Sequence, residues 1–160
     1  MASVLVPANV ATVGVKITNP GAVTNLVIHA PSAKPIVLVR ARIELAQATV
    51  PADAHCAVKL VRKTAAGTYT SIAASTFVLA DPAESDPSFT AGHTASGEGT
   101  DGDAVEYGWG ARTGWVFDWA PTDTEYVLVQ AGTANGIALK HVTAPPAGVY
   151  TFSMTAAEIA

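Results

Sequence analysis

The sequence predicts an all-β fold: a two-sheet antiparallel sandwich, jelly-roll-like, with about 8–10 strands. Three observations lead there. Short β-rich runs recur between turn residues. Several runs alternate apolar and polar side chains with period two. No stretch carries the periodicity of a long helix. At 160 residues the chain suits one domain with a real core. Residues 1–160 are therefore read as a single sandwich, with 1–8 as an N-terminal arm and 80–103 as a long loop.

The first run, Asn9 to Thr18, closes at Asn19-Pro20-Gly21, where proline presets φ and glycine tolerates positive φ. Thr24 to His29 follows, and Pro31 and Pro35 bracket the next connection. In Ile36 to Leu45, the residues Val37, Val39, Ala41, Ile43 and Leu45 are expected on one packed face. Leu38, Arg40, Arg42 and Glu44 point the other way, whereas a helix would scatter those charges around its circumference.

Ala57 to Lys63 and Thr68 to Ala73 read as a hairpin joined through Ala65-Ala66-Gly67. Val105 to Trp109, Trp115 to Trp119, Tyr126 to Gln130 and Gly136 to His141 are further short strands between turn-forming segments. Gly148 to Ala156 is the last, with Val149, Thr151, Ser153 and Thr155 opposite Tyr150, Phe152 and Met154. Thr155 to Ala160 has room for a single helical turn.

Only 14% of the residues are charged, well under the roughly 25% of an average soluble domain. Ala, Thr, Ser and Gly must then cover much of the surface, which suits a chain flanked by neighbours. The net charge of −4 and the absence of any basic run longer than Arg62-Lys63 argue against nucleic-acid binding. Cys56 is the only cysteine, so no intrachain disulfide forms. The first ten residues lack the basic and apolar regions of a signal peptide, and no apolar stretch approaches the ~20 residues of a membrane span. Folding in a cytoplasm, without a membrane partner, is the expectation.

The segment from Ala80 to Asp103 is rich in Asp, Pro, Ser, Thr and Gly, and no Lys or Arg occurs between Lys63 and Arg112. Long connections of this kind are often functional. Asp81, Glu84, Asp86, His93, Glu98, Asp101 and Asp103 are its candidate partner-binding residues. Glu98-Gly99-Thr100-Asp101-Gly102-Asp103 could wrap a hard cation, but the EF-hand spacing is absent and a solvated loop is the plainer reading. No bound cofactor or metal is expected: His29, His55, His93 and His141 show no zinc spacing.

No catalytic constellation stands out. There is no Gly-x-Ser-x-Gly elbow, Walker pattern or dinucleotide fingerprint. His55 and Cys56 are neighbours in sequence and so face opposite ways on a strand. Asp118 and Glu125 form at most a chance carboxylate pair. The aromatics Tyr107, Trp109, Trp115, Phe117 and Trp119 recur at alternate positions. If their segments pair, they either fill a core face, the commoner arrangement, or form an exposed platform for sugar or protein.

A set of stretches from Ala41 onward carries a family likeness. Val58-Lys59-Leu60-Val61-Arg62 is followed by Thr70-Ser71-Ile72, then Leu79-Ala80-Asp81-Pro82 with Asp86-Pro87. Next comes Ala91-Gly92-His93-Thr94-Ala95-Ser96-Gly97-Glu98-Gly99-Thr100, and then the aromatic segment leading to Gly114-Trp115. Gly136-Ile137-Ala138-Leu139-Lys140, Ala144-Pro145-Pro146 and Met154-Thr155-Ala156-Ala157-Glu158-Ile159 complete it. Over about three quarters of its length the chain thus resembles a family of tailed-bacteriophage virion structural proteins. The resemblance implies a small jelly-roll-like subunit, located on the virion after assembly in the host cytoplasm, in a symmetric homo-oligomer.

It brings no catalytic residues, and a non-enzymatic role is expected. A capsid decoration or cement subunit, contacting the major capsid protein and copies of itself, is the leading expectation. The alternative is a tail- or fibre-associated receptor- or carbohydrate-binding module using the aromatic row. Deleting residues 82–102 is expected to weaken attachment while leaving the fold intact.

Overall fold

A computed structural model of the chain describes residues 7–48, 54–111, 116–122 and 126–159. Twelve strands run in order: β1 (Pro7–Thr18), β2 (Thr24–His29), β3 (Ile36–Ala48), β4 (Ala54–Ala65), β5 (Thr68–Ile72), β6 (Val78–Leu79), β7 (Thr90–Gly97), β8 (Thr100–Ala111), β9 (Val116–Trp119), β10 (Val127–Val129), β11 (Gly136–His141) and β12 (Gly148–Ile159). Sheet 1 has the order β10-β3-β12-β1-β6, with β9 also on β3, and sheet 2 the order β5-β7-β2-β11-β4-β8.

Every pairing is antiparallel, and the pairs nest. β1 lies on β12, β2 on β11, β3 on β9 and β10, and β4 on β8. The chain is therefore one long ribbon, β1 to β4 against β12 to β8, rolled up into two facing sheets. That is jelly-roll topology, reached with more strand segments than expected for two reasons. The strand opposite β3 is split into β9 and β10, and β5, β6 and β7 form an insert at the ribbon's tip.

The core lies between the sheets and includes Val13, Leu26, Ile28, Leu38, Ile43, Leu45, Val58, Leu139, Tyr150 and Phe152. In β12 the expected alternation holds, with Tyr150, Phe152 and Met154 buried and Thr151, Ser153 and Thr155 on the outer face. Strand β12 continues through Ile159, so the tail forms no helical turn.

The face assignment in β3 needs correction. Ile36 and Leu38 are buried and Val39 is exposed, while Ala41, Ile43 and Leu45 are buried as expected. The cause is a bulge. Arg40 pairs with Thr155 but Leu38 pairs with Ala156, leaving Val39 as an extra residue that reverses the side-chain parity.

The proposed β4–β5 hairpin is also overturned. β4 pairs with β11 and β8, whereas β5 pairs with β7, on the far side of the β2–β11 pair. The stretch expected as a long loop, 80–103, is irregular only over 80–89; β7 and the start of β8 occupy most of the remainder. The N-terminal arm is outside the described residues up to residue 6, and Pro7 and Ala8 already pair with β12.

Candidate functional site

The insert 66–99 is the part of the molecule added to the basic jelly roll. It leaves β4 at Ala65, crosses the outer face of sheet 2 and lays β5 and β7 beside β2. It then reaches sheet 1, where β6 pairs with β1. Beneath the crossing, Val27, Val61 and Ala138 form a small second apolar cluster capped by the Tyr69 ring.

Two close backbone approaches make the crossing possible. A Cβ on Gly67 would lie 2.3 Å from the Gly97 carbonyl oxygen, and one on Gly99 would lie 2.4 Å from that of Ala65. Gly99 also has φ +69°, a conformation that costs little only for glycine.

Four charged side chains lock the crossing in place. Lys63 is 1% exposed. Its ammonium donates to the Glu98 carboxylate at 3.0 Å, to the Glu98 carbonyl at 3.1 Å and to the Asp101 carboxylate. Lys140 donates to Asp101 at 2.9 Å and lies 3.5 Å from Glu98. Thr24 also holds the Glu98 carboxylate, its backbone N–H donating to Oε1 at 2.8 Å and its hydroxyl to Oε2 at 2.6 Å. Two ammonium groups thus meet two carboxylates, which leaves no uncompensated buried charge.

Burial alone would raise Glu98, but the Thr24 hydrogen bonds and Lys63 outweigh it and hold the carboxyl below its ordinary range. Asp101 is held low in the same way, against burial, by Lys63 and Lys140. Tyr69 donates its hydroxyl to the Glu98 carbonyl at 3.2 Å, and burial with the nearby Glu98 and Asp101 charges pushes it up to about 12.

At its other end the insert forms an exposed acidic turn. Asp81 accepts from the Ala83 N–H at 2.9 Å, and the Glu84 N–H donates to the Asp81 carbonyl at 3.0 Å. Phe77 and Phe89 stack at 5.6 Å across its base, and the Ala80 N–H donates to Val10 at 2.8 Å. The fully buried Glu158 carboxylate accepts from Ser88 N–H, from Asn9 Nδ2 at 2.9 Å and from Lys34 at 3.4 Å. The Asp81, Glu84 and Asp86 carboxylates stand exposed on this anchored turn.

The seven candidate residues therefore separate. Asp81, Glu84 and Asp86 share the turn, while Glu98 and Asp101 meet in the ion network, Glu98 half-buried and Asp101 on the surface. His93 is half-buried on β7 with Nδ1 3.1 Å from the Thr94 hydroxyl. Asp103 is exposed at the mouth of a cleft on the opposite edge. Lys63, Lys140, Thr24 and Glu158 were missed. A signal was present for two of them: Lys63 and Lys140 share strand parity with the apolar Val61 and Ala138.

The described members of the aromatic row pack into the core, Trp109 and Phe117 buried and Tyr107 and Trp119 partly so. The row's segments do not pair; β8 and β9 lie in different sheets and face each other across the sandwich, with Tyr107 and Phe117 rings 5.7 Å apart. Trp109 is buried against His141 and Tyr150, and Trp119 is half-buried; Trp115 lies outside the described residues. Asp118 is bonded to Arg40 and lies 3.8 Å from Arg42, while Glu125 is outside the described residues. His55 is exposed and Cys56 buried, on opposite faces of β4, and burial raises the thiol. Among the described residues no three metal-ligating side chains converge, and no helix is long and apolar enough to cross a membrane. The chain matches no known protein-family model and no curated protein.

Proposed function

We propose that the chain is a virion structural protein, a capsid decoration or cement subunit that binds the major-capsid lattice and neighbouring copies of itself. The observation that carries this reading is the anchored acidic turn. Asp81, Glu84 and Asp86 project from a segment held by Phe77–Phe89 stacking, by Val10 and by the buried Glu158. Ordering such a turn in advance lowers the entropy cost of docking. The family likeness supplies the kind of partner. Attachment would be passive, with many modest contacts adding through avidity on a repeating lattice. Burial of Trp109 and Phe117 gives less support to the alternative of a tail-fibre binding module using the aromatic row.

The deletion of residues 82–102 is unsuitable as a test, since it removes β7 and the Glu98 and Asp101 carboxylates that lock the crossing. The triple variant D81N/E84Q/D86N leaves those contacts in place. Added to particles stripped of this chain, it should bind about tenfold more weakly than wild type, equivalent to ~1.4 kcal/mol, with an unchanged circular dichroism spectrum. Equal attachment would remove the turn from the interface, and cryo-EM density confined to the tail would overturn the capsid assignment.

A further inference from the structure

We infer that the insert 66–99 is an acid-released flap and that His29 is its trigger: a proton taken up there lifts the Tyr69 end of the insert off sheet 2. His29 lies on β2, the strand that carries β7, and is 8% exposed. The Tyr69 ring of β5 leans against it, the two ring centroids 5.7 Å apart. On β11, a Cβ at Gly136 would come within 2.8 Å of the imidazole Nδ1, so the absence of a side chain there makes room for the ring. Neither ring nitrogen has a hydrogen-bond partner among the described residues. A neutral imidazole tolerates this place, whereas an imidazolium is a buried charge that no described carboxylate pairs.

The titratable groups of this face are Lys63 on β4, Tyr69 on β5, Lys140 on β11, and Glu98 and Asp101 around the β7–β8 turn. Strand β7 brings Thr90 and Gly92 to the ring, while its His93 stands opposite Leu26 on the other face. Both carboxylates are engaged by the two ammonium groups. Burial keeps the imidazole neutral; the Asn135 backbone favours a proton and Lys63 opposes it, and the balance lies below the ordinary value. Lifting Tyr69 returns the ring to water, where a histidine titrates near about 6.5. The closed flap is therefore fully favoured above that pH and loses ground as pH falls below it.

The other attachments release in the same direction but in stronger acid. Glu98 holds Thr24 and Lys63 at one end of the insert, and Glu158 accepts from the Ser88 N–H at the other. Burial would raise both carboxyls, but hydrogen bonds to Thr24 and Lys63, and to Asn9 and Ser88, hold them low. Opening thus begins at Tyr69, over Val27, Val61 and Ala138, before the acidic turn is freed. The device is internal to the chain and independent of what the chain attaches to.

Hydrogen exchange of the isolated full chain, read by mass spectrometry at about pH 7 and about pH 5 and corrected for intrinsic rates, tests it. Amides of β5 and β7 should lose several-fold of their protection at the lower pH, and should exchange faster than those of β12 at both. His29→Gln should remove that acid loss, and His141→Gln should leave it in place. Tyr69→Ala, which keeps His29 and uncovers it, should raise the His29 titration seen by NMR to about 6.5. Equal protection at both pH values overturns the inference, as does an acid loss that survives His29→Gln. Exchange of β5, β7 and β12 at one common rate means whole-chain unfolding and overturns it too. Should His29→Gln fail to fold, the Tyr69→Ala titration decides: a His29 titration unchanged from wild type means that Tyr69 is not the cover.

Discussion

On the outer face of sheet 1, Arg40, Arg42 and Asp118 meet in water; on that of sheet 2, a Lys63 covered by the protein's own chain meets Glu98 and Asp101, with Lys140 beside them. The residue types are alike, yet the side chains of Arg40 and Asp118 are 47% and 39% exposed while that of Lys63 is fully covered. Exposed pairs contribute little to stability because water and salt screen them. A buried pair contributes little net energy when intact, but breaking one side strands the other charge. The covered face is therefore the one that mutation can damage, and it is covered because the insert crosses it.

The sharpest way to break this contrast is Lys63→Met. It keeps the volume but leaves Glu98 and Asp101, each about one-third exposed, with one ammonium, and should cost about 1–3 kcal/mol in urea unfolding. An effect under about 1 kcal/mol would mean the crossing holds without its ions.

Acid comes next. His141 is fully buried, its Nδ1 2.8 Å from Asn25 Oδ1, and burial lowers it to about 4. A base held low in the fold stabilises above its ordinary value near 6.5, and that stability is lost as pH falls towards about 4. The separation corresponds to roughly 3 kcal/mol. Glu98 and Asp101 are also shifted down: their contribution is full above the ordinary carboxylate range and is lost as pH falls through that range and below it. Between pH 6.5 and 4.5 the loss should therefore follow the two histidines that burial lowers, His141 and His29, and His141→Gln should reduce the slope of the stability profile there. A profile unchanged by that substitution would assign the acid limb elsewhere.

Glycines extend the comparison at smaller size. Gly99→Ala on the covered face meets the Ala65 carbonyl at positive φ and should cost about 2 kcal/mol. Gly14→Ala on the open face meets nothing nearer than 3.8 Å and should stabilise by about 0.5 kcal/mol. Smallest of all, Asp118→Asn should leave the urea midpoint unchanged, at low salt and in 1 M NaCl alike.

The strands were legible where side chains alternate locally. Tyr150, Phe152 and Met154 announce β12, and Thr24 to His29 and Gly136 to His141 have the observed bounds of β2 and β11. Val39 was not legible, because a bulge is set by register against Thr155 and Ala156 rather than by its own neighbours. Within the candidate site, the acidic turn at Asp81, Glu84 and Asp86 could be read from composition. The ion-pair roles of Glu98 and Asp101 could not, since their partners Lys63 and Lys140 lie 35 to 42 positions away.

Sequence alone determined that this chain is rich in β-strands, that β12 buries one face, and that it has no intrachain disulfide, because period, turn chemistry and cysteine count are properties of short stretches or of composition. Tertiary structure alone decided that β1 closes on β12, that 66–99 crosses sheet 2, and that one lysine is buried while two arginines stay in water. Those outcomes depend on which distant segments meet, and an isolated strand exposes the same two faces whatever it will later lie against.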